Sequence, residues 1–148
     1  MAPKQRAQID VHLILRRRDD ILLGQRRNTG WSDGCWHVPS GHGEDAESAL
    51  ATLVREGAEE MGVRVAASDA RLVHVVHHWT GSPRLALFFE VTTWDGEVTN
   101  TEPDKCGGWE WFPLSALPDP MIPYAAQAIG LYRKGEPYSE RGWDEATQ

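Results

Sequence analysis

The order of elements along this chain predicts a mixed α/β fold, an α/β/α sandwich with a mixed sheet. Three observations carry that reading. A β-hairpin pattern opens the chain, an amphipathic helical stretch spans residues 46–61, and a second hairpin pattern is followed by another helical stretch. Strands before and after helices in one short chain pack as layers around a shared core. The chain has 148 residues. That is enough for one core, so a single domain over residues 1–148 is expected.

Residues 1–6 are polar and expected to be loose. Residues 7–15, AQIDVHLIL, are rich in β-branched and apolar side chains with partial alternation, which predicts a strand. Residues 16–20 are charged and suit a turn. Residues 21–23 form a short apolar return, so the two segments make a hairpin. Residues 26–34 are a polar loop punctuated by Gly30 and Gly34. Residues 36–38 form a brief strand ended by Pro39, and residues 40–44 a loop leading into the helix.

In the helix over residues 46–61, Asp45 is the expected N-cap. Apolar or small residues fall at positions 46, 49, 50, 53, 54, 57, 58 and 61, the spacing of an amphipathic helix. Gly57 lies near the middle of that stripe. Glycine there weakens a helix by about 1 kcal/mol relative to alanine, and close approach of a neighbouring strand is the expected reason. Residues 71–79 and 84–94 read as a second hairpin around Thr80-Gly81-Ser82-Pro83, and Asp95-Gly96-Glu97 turns again. Residues 100–108 form a loop and residues 109–112 a short strand. Residues 113–118 suggest a helical turn. Residues 122–132 form a helix with Pro123 tolerated in its first turn. From Glu136 the chain is polar, with Tyr138 and Trp143 as docking side chains for a tail.

Formal net charge is -7, which gives no general pull toward nucleic acid or an anionic membrane. An anionic ligand therefore needs a local cationic site or a bound metal. The start of the chain lacks the apolar core of a signal peptide. The longest strongly apolar run, LALFF at 85–89, is too short to span a bilayer. Two cysteines, Cys35 and Cys106, cannot make a disulfide framework, and reduced cytoplasmic thiols are expected.

The end of the central helix breaks the rules of helix design. Glu56, Glu59 and Glu60 crowd about one turn, where like charges each cost a few tenths of a kcal/mol. Two of them sit at the negative end of the helix dipole. Gly62 then stops the helix. At 100° per residue the three acids fall within an arc of about 100° beside the apolar stripe, at the rim of the core. Acids concentrated where the helix's own field opposes them point to a divalent cation with oxygen ligands.

The stretch reads Gly41-x5-Glu47-x7-Arg55-Glu56-x2-Glu59-Glu60-x-Gly62-Val63. It resembles the Nudix box, Gly-x5-Glu-x7-Arg-Glu-U-x-Glu-Glu-x-Gly-U, with U a bulky aliphatic residue. Every charged and glycine position matches. Gly57 departs from the pattern at a U position, and Pro39-Ser40-Gly41-His42 stands where many relatives have Pro-Gly-Gly. The hairpin before the box, the pair Arg26-Arg27, the run Glu102-Pro103-Asp104-Lys105-Cys106 and the later Trp111-Phe112-Pro113-Leu114 resemble MutT-type members. The resemblance covers roughly residues 8–135. Many relatives have glutamate where this chain has Gly108, so a base from that loop would fall to Glu102 or Glu110.

The resemblance implies a Nudix-type α/β/α sandwich that hydrolyses a nucleoside diphosphate linked to another group, using Mg²⁺ or Mn²⁺. By position, Glu56, Glu59 and Glu60 match metal-binding glutamates, and Ser40 matches a residue offering its backbone carbonyl. Glu47 and Arg55 match positions that brace the loop and orient the glutamates. The residue types suit the chemistry. A cation on pyrophosphate neutralises charge and lowers the pKa of bound water, and a carboxylate in reach takes the proton. A (d)NTP or oxidised (d)NTP is the first substrate expected. Dinucleotides, nucleotide sugars, ADP-ribose and prenyl diphosphates are the alternatives, with a non-catalytic nucleotide sensor and a diphosphate isomerase as rivals from other classes. No nucleic-acid or membrane partner is expected; a homodimer is a family-level expectation.

Around the box, Arg26 and Arg27 are candidates for phosphate or a base edge. Trp31 is the best of the seven tryptophans to stack on a base, though core packing more often explains any one of them. His42 is the histidine best placed to touch phosphate. His77 and His78 are adjacent, so they point to opposite faces of a strand and do not share an ion.

Overall fold

A computed structural model describes residues 2–147; Met1 and Gln148, the extreme ends of the expected loose start and docking tail, lie outside it. Strands β1 (Gln8–Arg17) and β2 (Asp20–Arg26) form the first hairpin, turning at Arg18-Asp19. Short β3 (Trp36–His37) and β4 (Ser40–His42) precede helix α1 (Ala49–Met61). Strands β5 (Ala70–Trp79) and β6 (Pro83–Val91) form the second hairpin. Then come β7 (Cys106–Pro113), α2 (Pro123–Arg133), β8 (Tyr138–Arg141) and α3 (Trp143–Ala146).

The strands join in the order β3-β2-β1-β6-β5-β8, with β4 on β1 and β7 on β2. The sheet is mixed: β1 runs parallel to β6 over eight paired positions, from Gln8↔Arg84 to Leu15↔Val91. Alternation along β1 builds both faces. Val11, Leu13 and Leu15 pack with Leu53, Met61 and Phe89 under α1. Ile14 packs with Phe88, Ile122, Ala125 and Ile129 under α2. This is the α/β/α sandwich expected. No helix among the described residues is long and apolar enough to cross a membrane.

Several local expectations change. Residues 40–42 are a strand, because β1 has a free edge there and pairs Asp10↔His42 and His12↔Ser40. Helix α1 begins at Ala49, three residues late. Ala46 has φ 61, outside the helical region, and Ser48 is the N-cap, its hydroxyl accepting from the Ala51 N–H at 3.1 Å. Serine and aspartate cap equally well, so composition could not choose between them. Residues 113–118 turn without forming a helix.

The buried face of α1 is also rotated from the apolar stripe. Thr52, Leu53, Glu56, Gly57 and Met61 are buried, whereas Leu50 and Val54 are exposed. The rotation brings Glu56 under cover. Gly57 is not squeezed by a strand. A methyl added there would meet Leu13, Val63 and Val65 atoms at 3.7 Å, ordinary contact.

Candidate active site

The end of α1, the β4 segment and the start of β1 converge on one junction. Arg55 is the hub. Its Nε donates to Glu47 Oε2 at 2.8 Å and its Nη2 to Glu47 Oε1 at 2.9 Å. Nη1 donates to Glu56 Oε1 at 2.8 Å and to Glu59 Oε2 at 3.1 Å. Nη2 also donates to the His42 carbonyl at 3.0 Å. One guanidinium thus ties the loop before the helix to two carboxylates on it, the forked geometry that arginine is suited to make.

Glu47 is outside the helix because it has other partners. Its Oε1 also accepts from the Thr52 hydroxyl at 2.7 Å and the Glu44 N–H at 3.1 Å. The Arg55 guanidinium, then Thr52 and Glu44, pull its carboxyl down to about 2. The glutamates on the helix move the other way. Burial raises Glu56, against the pull of Arg55. Burial, reinforced by the charge of Glu56, pushes Glu60 up to about 8. Gly41 explains itself here: a Cβ on it would overlap the Glu56 carboxyl group.

Two cavities meet at this junction. The larger, about 660 Å³, is lined by Glu56, Gly41, His42 and Trp31, and beyond them by His12, His78, Arg84 and Tyr124. The smaller, about 370 Å³, is lined by Glu102, Lys105, Asn100, Cys106 and Trp109. Arg26, His37, Ser40 and Glu60 line both. Gly24 lets the Trp109 ring lie against β2, because any side chain there would strike it.

The residues singled out in the sequence are unequally placed. Glu56, Glu60, Ser40, Arg26, Trp31 and His42 reach the cavities. Arg26 lies over the Trp31 ring, 4.7 Å from its centroid, and donates from Nε to the Trp31 carbonyl at 3.0 Å. Glu59 lines neither cavity and turns to Arg55. Arg27 lines neither as well; its guanidinium is occupied by the Pro103 carbonyl. His42 is largely exposed, with Nδ1 2.5 Å from Asp10 Oδ1. Of the two substitute bases, Glu102 lines the smaller cavity and Glu110 lines neither. Gly108 has φ 130, a conformation that a glutamate there would strain.

Sequence reasoning missed the far wall of the larger cavity. Asp10 receives Arg84 Nε at 2.7 Å and Nη2 at 2.9 Å. The Tyr124 hydroxyl lies between His12 Nε2 at 2.7 Å and His37 Nε2 at 3.2 Å. Burial holds both imidazoles down to about 3, so both are neutral and the hydroxyl donates to one while accepting from the other. The signal was present: Asp10 and His12 are the polar residues of an otherwise apolar run over 9–15 in β1, two apart and on one face.

The donor set fits a hard divalent cation. Glu56 and Glu60 line the same cavity as Ser40, and among the described residues the Glu60 carboxyl group accepts a single, long hydrogen bond, from the Ser40 N–H at 3.3 Å. Mg²⁺ is bound through one or two carboxylates plus water and substrate oxygens, which suits this open arrangement. Among the described residues, no three His, Cys, Asp or Glu side chains converge into a closed cage.

A mixed sheet between helices, with a braced row of glutamates beside two cavities, is the build of a pyrophosphohydrolase. The family model for the NUDIX domain matches residues 6–132. The 8-oxo-dGTP diphosphatase of Proteus vulgaris is 31% identical over 67% of this chain and 88% of its own length. The uncharacterized Nudix hydrolase YvcI of Bacillus subtilis (strain 168) is 24% identical over 85% of this chain and 79% of its own. The crystal structure of a MutT NUDIX hydrolase from Burkholderia pseudomallei superposes with a TM-score of 0.76 at 27% identity, covering 85% of this chain and 98% of that one. The chain belongs to the Nudix family, hydrolases of substrates built on a nucleoside diphosphate that generally use divalent metal ions.

Proposed function

We propose that the protein hydrolyses nucleoside triphosphates, deoxy or oxidised forms included, to the nucleoside monophosphate and pyrophosphate with Mg²⁺. The observation that carries this reading is the position of Glu60, at the meeting point of two cavities of different character. The smaller offers Arg26 and Lys105, cationic partners for terminal phosphates. The larger offers Trp31, Tyr124 and imidazole rings, surfaces for a nucleoside. A triphosphate spanning both places its α–β linkage beside Glu56 and Glu60.

Glu56, Glu59, Glu60 and the Ser40 carbonyl are the groups we assign to the cation. When bound, it supplies charge neutralisation and acidifies water. Arg55 and Glu47 brace the glutamates. Arg26, with Trp31 packed on it, draws in phosphate, and His42 faces the same cavity; Arg27 holds the 102–105 loop that carries Lys105. In the reaction, a water oxygen bonds to phosphorus, the bridging α–β oxygen leaves with the other phosphate, and a carboxylate of the cluster takes the water proton. We place this activity in the cytoplasm, in keeping with reduced thiols at Cys35 and Cys106.

A panel of dGTP, 8-oxo-dGTP, the other nucleoside triphosphates, ADP-ribose, a nucleotide sugar and a dinucleotide, each with Mg²⁺, tests the reading. Pyrophosphate release from a triphosphate is expected, abolished by EDTA and by Glu60→Gln. Turnover confined to ADP-ribose or another diphosphate overturns the substrate class. Tight binding with no turnover of any compound overturns the enzyme reading in favour of a sensor.

A further inference from the structure

The Nudix match ends at Tyr132, yet the chain beyond it returns to the sheet. Strand β8 lies parallel to β5, in register from Val75↔Tyr138 to His78↔Arg141. Without it β5 would be the sheet edge. His74, fully buried on β5, is held at both ring nitrogens, Nδ1 by the Glu136 carbonyl at 2.7 Å and Nε2 by the Ser139 hydroxyl at 2.9 Å. The Trp143 indole N–H donates to the His77 carbonyl at 2.8 Å, and its ring packs on His77 and Trp79.

The same segment also grips α2. Gln127 Nε2 donates to Ser139 Oγ at 3.1 Å and to the Glu140 carbonyl at 3.3 Å. Arg141 Nη1 donates to Gln127 Oε1 at 2.9 Å. Ser139 is therefore the shared joint: its oxygen accepts from α2 while its proton goes to β5. These two elements carry one wall of the larger cavity. His78 comes from β5 and Tyr124 from α2, their ring centroids 4.9 Å apart.

We infer that the C-terminal segment 136–146 is a positioning element for substrate, clamping β5 to α2 so that His78 and Tyr124 hold the wall of the larger cavity. Ser139 and Trp143 are its positioning residues; neither lines the cavity. The inference rests on the reading that this cavity takes the nucleoside. Lost placement of a cavity wall weakens binding and leaves the glutamates at the far side intact, so its signature is in KM and not in kcat.

The test compares the intact chain with a chain ending at Gly135, with Trp143→Ala, with Trp143→Phe and with His78→Ala. Binding of α,β-methylene-dGTP with Mg²⁺, steady-state hydrolysis of dGTP and amide exchange across residues 75–80 are measured. Shortening and Trp143→Ala are expected to raise Kd and KM roughly ten- to hundredfold, the range that losing an aromatic stack on a base gives. The turnover number should stay near that of the intact chain, the exchange of residues 76–80 should quicken, and Trp143→Phe should fall between. If the shortened chain does not fold, Trp143→Ala decides alone. Unchanged Kd in Trp143→Ala beside a raised Kd in His78→Ala overturns the clamp and leaves the cavity reading standing. Unchanged Kd in His78→Ala, or no binding by the intact chain, overturns the cavity reading and the clamp with it. A loss confined to kcat overturns the clamp.

Discussion

Arg55 grips Glu47 through two parallel hydrogen bonds, of 2.8 and 2.9 Å, eight residues back along the chain. The pair closes the loop between β4 and α1 onto the helix, and the remaining Arg55 nitrogen is spent on Glu56 and Glu59. Removing the guanidinium frees the loop and leaves Glu56 buried without its cationic partner. Arg55→Ala is expected to lower kcat on the order of 10²-fold, because the glutamates lose their placement. Arg55→Lys should recover little, since an ammonium cannot reproduce the fork. Steady-state kinetics at saturating Mg²⁺ checks this; activity near that of the parent would contradict the bracing role.

The same ion pair sets a pH dependence of stability. The folded Glu47 carboxyl titrates near 2, below its ordinary value of 4.5. A lowered folded pKa means that its stabilising contribution is complete above the ordinary value and is lost as pH falls from about 4.5 toward 2. Glu47→Gln should therefore be less stable than the parent at pH 6, with the difference shrinking between pH 4.5 and 2. Urea unfolding of both proteins at a series of pH values reads it directly; a gap that widens on acidification would reverse the assignment.

Gly57 sits in a helix with room for a methyl group. Gly57→Ala is expected to stabilise the protein by about 1 kcal/mol, the difference in helix preference. Calorimetry should show Tm rising by about 3 °C for a chain of this size. Valine or leucine at the same place would press on Leu13 and Val65, so the gain should vanish with size.

Gly41 has no such room. A methyl there would displace the Glu56 carboxylate. Gly41→Ala should raise the Mg²⁺ concentration needed for half-maximal activity and cut kcat on the order of 10²-fold. Titration of the rate with Mg²⁺ separates this from general unfolding, which circular dichroism would report.

Mg²⁺ itself should stabilise the folded chain, because a ligand bound only by the native state adds RT ln(1 + [L]/Kd). Tm should rise with Mg²⁺ in the parent and respond less in Glu60→Gln. An equal response in both would remove Glu60 from the cation site.

The helix, its acids and the two hairpins were legible because they depend on neighbours in the chain. Repeats of two and of three to four residues report which face is apolar. The spacing of Glu47, Arg55, Glu56, Glu59 and Glu60 is likewise a local quantity. The sandwich followed from the order of those elements. What lay beyond reach depended on contacts between distant segments. Strand β4 exists because β1 leaves an edge free at Asp10–His12. The helix starts at Ala49 because Glu47 is pulled away by Arg55, Thr52 and Glu44. The rotation that buries Glu56 and exposes Leu50 answers to the fit against the sheet and not to apolar content.

The cavity wall is the clearest case. Asp10, Arg84, His78 and Tyr124 come from four separate elements, and nothing in their sequence neighbourhoods marks them as partners. Parallel pairing of β1 with β6, with β5 alongside and α2 laid across the face, brings them together. The chain's residues alone thus specify the acidic helix of the Nudix box and the class of reaction. Which side chains meet the rest of the substrate depends on the packing of the sheet, because each long-range contact is shared between segments that carry no record of one another.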